Sequence, residues 1–319
     1  MDPRNFIDHP SGFLAMSSNN RRFSVDGLTG FIAYRDQGKH RVALAGVHSP
    51  SGDAGPLLDA FLEGTRRDGL RPLFVQLPRH QIPLCVERGM TVNQLGSTYA
   101  VSLQGYSFRG TSKMTLRNKI KRGRTAGLSV VELGAEMPWS DSTCRDLEGI
   151  SHAWLAAKMK KELEFMVGEP PREADSLRRV FVVRQQSGAA CAFVTYVPAW
   201  GRRPGYLHDL SRRLPDSPVG TMEICNAFAI ERFMKEGVAY LHFGFTPFVA
   251  DGEEPVSANR MLSRILYLLR RYGRFVYPAE SQVHYKSKWG TDVVEPEYIA
   301  ARPLSLRAAY DLMRLTNSL

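Results

Sequence analysis

At 319 residues, with 43% hydrophobic, 10% aromatic and 23% charged residues, the chain has the composition of an ordinary globular protein and room for one large or two medium domains; disorder and fibrous repeats are excluded. A formal net charge of +10 favours a polyanionic partner, nucleic acid or an anionic membrane surface, over a neutral small molecule alone. Cys85, Cys144, Cys191 and Cys225 are too scattered for a disulfide framework or a zinc site. The N-terminal MDPRNFIDHPSGF holds no apolar signal-peptide core, and the uncharged run 185–201 falls short of the ~20 apolar residues of a membrane helix, so a reduced cytoplasmic chain is expected.

In chain order, β-branched and apolar runs predict strands at 30–35, 41–47 and 72–77, with an amphipathic helix at 57–67, a second helix near 80–89 and a strand at 98–103. After Gly127 the pattern restarts: strand 128–133, helix 140–158, strands 180–185, 189–197 and 205–210, helix 219–236, strand 238–243 and helix 257–272. The order β-β-α-β-α-β thus occurs about twice, which predicts two α+β domains, 1–111 and 128–319, joined by a connecting helix at 112–127.

That connector is the most basic part of the sequence. Arg109, Lys113, Arg117, Lys119, Lys121, Arg122 and Arg124 lie in one stretch without an acid. Lys113, Arg117, Lys121 and Arg124 fall at i, i+4, i+8 and i+11 and make one ridge, while Leu116 and Ile120 leave only a narrow apolar stripe, so a surface helix is expected. Ser112 is placed to cap its start and Gly127 to end it.

The signatures G-x-G-x-x-G, G-K-[ST], H-E-x-x-H and G-x-S-x-G are absent. The densest polar constellation is Tyr206-Leu-His208-Asp209-Leu-Ser-Arg212-Arg213, followed by two prolines, Gly220 and a helix carrying Glu223 in its first turn. On a regular strand His208 and Leu210 share one face and Asp209 and Ser211 the other, so Asp209 and Arg212 meet only where the strand ends or bulges. In His284-Tyr-Lys286-Ser-Lys288-Trp289 the two lysines share a strand face suited to a phosphate or a polynucleotide end. Each feature also has a plain structural reading: a buried ion pair, a packed histidine, a carboxylate complementing a helix dipole, a solvated strand edge.

Taken together, Phe23-Ser-Val-Asp26-Gly27 with Tyr34-Arg35, Phe108-Arg-Gly110 with Arg117-Asn118, Asp209-Leu-Ser-Arg212, Gly220-Thr-Met-Glu223, Phe243-Gly244-Phe-Thr-Pro247 and Lys286-Ser-Lys288-Trp289 resemble the catalytic domain of lysylphosphatidylglycerol synthases. The resemblance spans most of the chain. It departs from the family at Gly46-Val-His-Ser-Pro50 in place of a Gly-Asp-Pro turn and at Ser211 and Trp289 in place of Met and Phe, and no membrane-spanning flippase region is expected ahead of the domain.

The resemblance implies two tandem acetyltransferase-like (GNAT) domains and transfer of an aminoacyl group from charged tRNA to an acceptor hydroxyl, with aminoacyl-tRNA as co-substrate and no metal or other cofactor. It implies that Asp209 binds the α-ammonium with Glu223 as a second carboxylate, that Arg212, Lys286 and Lys288 face phosphate or the developing oxyanion, and that Tyr206, His208, Phe165 and Gly244 shape the substrate pocket. Lys113, Arg117, Lys119, Lys121, Arg122 and Arg124 then track the tRNA backbone.

A soluble hydroxyl or hydroxylamine acceptor, as in natural-product assembly, is favoured over phosphatidylglycerol, because a lipid enzyme held only by electrostatic contact with an anionic membrane would share its one basic patch with tRNA. Two rivals are a CoA-dependent acyltransferase, disfavoured because the turn before the helix, Asp216-Ser-Pro-Val-Gly-Thr221, has one glycine and a proline, and a non-catalytic RNA-binding module.

Overall fold

Strand-forming runs rich in Val, Ile, Phe and Tyr recur along the whole chain, and the computed structural model shows them joined in one sheet. The structure describes residues 2–158, 164–171, 177–249, 255–272, 279–303 and 305–318. The first part runs α1 (Gly12–Ala15), β1 (Arg21–Phe23), β2 (Phe31–Gln37), β3 (His40–His48), α2 (Ser51–Arg67), β4 (Arg71–Pro78), α3 (Ile82–Val86), β5 (Thr91–Ser102) and α4 (Met114–Thr125). It continues through β6 (Ser129–Glu132), α5 (Asp141–Lys158), β7 (Arg179–Arg184), β8 (Ala190–Ala199), β9 (Gly205–Arg213), α6 (Thr221–Lys235) and β10 (Tyr240–Pro247). Last come α7 (Arg260–Tyr272), α8 (Ala279–Ser287), β11 (Val293–Ala301) and α9 (Leu306–Leu315).

All eleven strands form a single sheet in the order β1-β2-β3-β4-β11-β5-β10-β9-β8-β7-β6. The repeated β-β-α-β-α-β order is present, as β2 to β5 and again as β8 to β11. The last strand of each unit, however, is placed beside the other: β11 lies between β4 and β5, and β5 pairs with β10. The fold is therefore mixed α/β on one continuous sheet, and the basic helix is not a bare tether between separate bodies. β11 and α9, from the segment expected to belong wholly to the second domain, return to the first half, where α9 fixes Asp311 against His40 at 2.7 Å and accepts Lys39 N–H at 3.0 Å.

Strand alternation divides the helices between two faces. On β3, Ala43 packs with α2, and Val42 and Leu44 pack with α1 and α9; on β8, Val194 and Tyr196 face α6 while Phe193 faces α5. One face thus carries α2, α3, α4, α6 and α8, the other α1, α5, α7 and α9.

The connector begins one residue later than expected. Ser112 lies in a 3-10 turn and Lys113 holds the cap position without a side-chain cap. Its end is as expected: Gly127, at φ 74°, closes a Schellman motif in which Leu128 N–H reaches Gly123 O and Gly127 N–H reaches Arg124 O. Leu116 and Ile120 are buried, and the helix packs on α6 so tightly that a Cβ on Gly220 would lie 2.0 Å from Lys119 O.

Candidate functional site

β9 and β10 run parallel for only three residue pairs, from Gly205↔Tyr240 to Leu207↔His242. Immediately beyond, each strand is bulged against its outer neighbour. Thr195 pairs with Leu210 and Tyr196 with His208, leaving Asp209 without a partner, and β10 does the same at Phe243 against β5. Paired bulges at one level turn both strands and open the sheet there.

The bulge settles the facing problem that strand periodicity leaves open. Asp209 joins Leu210 and Arg212 on the α5 face, while His208 stays on the α6 face, its ring against Tyr196, Phe243 and Tyr285. The Asp209 carboxyl is only 1% exposed. It accepts from Gly168 N–H at 2.8 Å and from the Thr195 hydroxyl at 3.4 Å, with the Arg178 guanidinium 3.7 Å away. Burial raises its pKa, against the charges of Arg178 and Arg212 and the two hydrogen bonds. The Arg212 guanidinium stands over the Trp154 ring of α5, its Cζ 4.1 Å from the ring centroid.

The segment 164–168 closes this side. Phe165, buried at a strained φ of 67°, stacks under Arg35, and a Cβ on Gly168 would fall 1.9 Å from Asp209 Oδ2. A glycine is required there because its backbone caps the carboxylate directly.

On the other face Glu223, in the first turn of α6, meets Lys288 Nζ at 2.8 Å and Lys119 Nζ at 3.5 Å. Burial pushes Glu223 up, but the two ammonium groups hold it below the usual carboxylate range. Lys288 stands over the Tyr285 ring at 3.8 Å, and burial lowers its pKa despite Glu223. Burial, with the charge of Lys286, lowers His208 to about 4, so it is neutral at pH 7, and its buried Nε2 has no hydrogen-bond partner among the described residues.

His284–Trp289 is not a strand. Residues up to Ser287 belong to α8, and the two lysines diverge instead of sharing a face. Lys286 is buried and donates to Gly244 O at 2.7 Å, Phe245 O at 2.9 Å and Thr246 Oγ1 at 2.8 Å, so it braces β10 just past its bulge and does not face an open slot. Burial lowers it to about 7, against the opposing charge of Glu297. Gly244, at φ 73°, is part of this brace, and Tyr206 is stacked on Phe233 under Arg179. Six of the nine residues expected at the site thus fall into two groups, Asp209, Arg212 and Phe165 on one face of the opening and Glu223, Lys288 and His208 on the other, whereas Lys286, Gly244 and Tyr206 are held in structural contacts. Thr195, Arg178, Gly168 and Trp154 are not legible in the sequence as site residues, because the bulge that brings them around Asp209 and Arg212 leaves no local signature.

The expected basic ridge is divided. Lys113 donates to Ser107 O and stands over Tyr106, and Arg117 donates to Phe108 O and Gly110 O, so both fasten the preceding loop. Lys119 turns to Glu223. Lys121, Arg122 and Arg124 are exposed, and the last reaches Glu231 only at 3.9 Å.

Among the described residues no His, Cys, Asp and Glu group is placed to hold a metal, and no helix is long and apolar enough to cross a membrane.

The family model for the C-terminal region of phosphatidylglycerol lysyltransferase matches residues 4–301. Phosphatidylglycerol lysyltransferase of Staphylococcus aureus is 23% identical over 301 residues, 93% of this chain and 34% of the relative, so the chain spans about a third of the length of the curated relatives it matches. Among solved structures, the C-terminal domain assigned to a lysylphosphatidylglycerol synthetase of Agrobacterium fabrum superposes with a TM-score of 0.76 at 24% identity, over 96% of this chain and 91% of that one. L-PGS from Bacillus licheniformis gives 0.75 at 22%, over 97% and 93%. With a sheet opened at Asp209 and a family match over nearly its whole length, this chain belongs to the phosphatidylglycerol lysyltransferase C-terminal family.

Proposed function

We propose that this chain transfers an aminoacyl group from aminoacyl-tRNA to a hydroxyl of phosphatidylglycerol. The observation that carries the reading is Asp209, a buried carboxylate placed by a β-bulge where two parallel strands part, in a chain of this family. The soluble acceptor expected from the sequence gives way to the lipid because the relatives bear the lipid's name.

In this reaction the acceptor hydroxyl attacks the ester carbonyl, and the tetrahedral oxyanion collapses. The terminal ribose oxygen of the tRNA then leaves with the proton the acceptor has released. The donor is already an ester, so ATP is not needed. Asp209 receives the α-ammonium once segment 164–168 lifts from it, and Arg212 and Lys288 supply positive charge toward phosphate or oxyanion from opposite sides of the opening. Lys121, Arg122 and Arg124 suit the phosphate backbone of a tRNA arm. A CoA-dependent reaction fits less well, since α4 lies against the start of α6, where a pyrophosphate would need free amides.

The test is incubation with aminoacyl-tRNA labelled in its amino acid and phosphatidylglycerol vesicles, lysyl-tRNA first, followed by lipid extraction. Label in the lipid phase supports the reading. Label passed only to a water-soluble hydroxyl compound assigns the soluble acceptor instead, and deacylation no faster than the spontaneous rate with every aminoacyl donor refutes both.

A further inference from the structure

α7 and α9 lie on the same face of the sheet, opposite α4, and both send apolar side chains outward. The sequence of α7, RMLSRILYLLRRY, has four arginines and no acid. Its N-terminus is tied down: Asn259 Oδ1 accepts from the N–H groups of Met261 and Leu262, and Asn93 bonds both the Asn259 backbone and Ser263. Leu266 faces the core. Outward stand Met261 at 67% exposure, Tyr267 and Leu268, beside Arg260, Arg264 and Arg271.

α9 repeats the arrangement. Leu312 and Leu315 face the same apolar cluster as Leu266, while Leu306, 74% exposed, and Tyr310 face out with Arg307 and Arg314. The single acid in the two helices, Asp311, is fully buried against His40 and also pairs with Arg307 at 3.0 Å, so on α9 Arg314 contributes more of the outward charge than Arg307. Their outward surface is therefore acid-free, cationic and studded with Met, Leu and Tyr.

We propose that α7 and α9 form a docking face for an anionic lipid bilayer, with Met261, Leu268 and Leu306 entering the acyl boundary and the arginines meeting lipid phosphates. Charge complementarity selects an anionic partner, and exposed Leu, Met and Tyr at helical spacing select a bilayer over nucleic acid, whose backbone offers nothing for them. The face also removes the conflict of one basic patch serving two polyanions, because α4 stands on the opposite side of the sheet. It deepens the phosphatidylglycerol reading, yet it rests on different residues, and its test needs no transfer.

The test is sedimentation of the 319-residue chain with vesicles of 30% phosphatidylglycerol in phosphatidylcholine and with phosphatidylcholine alone, without tRNA. The wild type is expected to partition onto the anionic vesicles and not the neutral ones. Arg260→Glu/Arg264→Glu is expected to weaken that partition about tenfold or more, and Met261→Ser/Leu268→Ser about tenfold at unchanged charge. All four side chains are outward, and circular dichroism verifies the fold. Equal wild-type binding to both vesicles overturns the proposal, as does binding that falls on charge reversal of Lys121 and Arg124 but not of Arg260 and Arg264. A vesicle-free dimer that Met261→Ser/Leu268→Ser dissociates, with vesicle binding intact, assigns the face to a second copy and also overturns it.

Discussion

Two parallel β-α-β units in this molecule part their strands in the same way and treat the opening oppositely. β3 and β4 pair from His40↔Arg71 to Leu44↔Val75 and then separate where Ala45 and Gly46 take positive φ. The Gln81 side chain fills that gap like a strand: its Oε1 accepts from Val47 N–H at 2.8 Å, and its Nε2 donates to Val47 O at 2.9 Å. The nearby His48, buried on Phe31, is pushed down by burial to about 3 and stays neutral. At β9 and β10 no side-chain amide among the described residues bridges the strands in this way, and the opening is bordered by Asp209, His208 and the Glu223–Lys288 pair. The same geometry is sealed as structure in one half and left to ionisable groups in the other, so the second half is the place to look for chemistry.

The largest expected effect tests that assignment. Asp209→Asn removes the charge without changing the shape, and transfer is expected to fall about 100- to 1000-fold with the fold retained. Because burial raises Asp209, the acid limb of the wild-type pH–rate profile should lie above the ordinary carboxylate range. Lys288→Met, which leaves Glu223 without its nearest ammonium, is expected to cost about 10- to 100-fold in transfer, a charge-assisted hydrogen bond being worth about 1.5–3 kcal/mol. In the sealed opening, Gln81→Ala should leave transfer unchanged but lower stability by about 2 kcal/mol in denaturant unfolding, since both polar groups of Val47 lose their partner.

Lys286 sharpens the comparison through pH. The folded chain gives up its proton near pH 7 and the unfolded chain only near the ordinary lysine value, so stability should rise as pH climbs from about 7 toward that value. Lys286→Met should flatten the slope; an unchanged slope would remove Lys286 as its source. The smallest effect belongs to α4. Lys121→Glu with Arg124→Glu should weaken tRNA binding and reduce the slope of log affinity against log salt by about two.

Much of this was legible in the sequence. The run Arg41-Val-Ala-Leu-Ala-Gly-Val announces β3, and the narrow Leu116/Ile120 stripe announces a surface helix. β11 was not, because Pro296 reads as an edge or a break, whereas the strand sits centrally beside a register shift. Lys-Ser-Lys mimics strand alternation, but helix α8 forms there because Lys286 finds three acceptors on distant β10. Asp209 was identified by type and resemblance; its face was not, since a bulge depends on pairing with β8.

The most direct measurement is calorimetric binding of a stable amide-linked aminoacyl adenosine, which presents the α-ammonium and the terminal ribose without reacting. The account predicts equal affinity for the wild type and Gln81→Ala and affinity at least about tenfold weaker for Asp209→Asn. Undiminished binding to Asp209→Asn, or loss in Gln81→Ala, would contradict it.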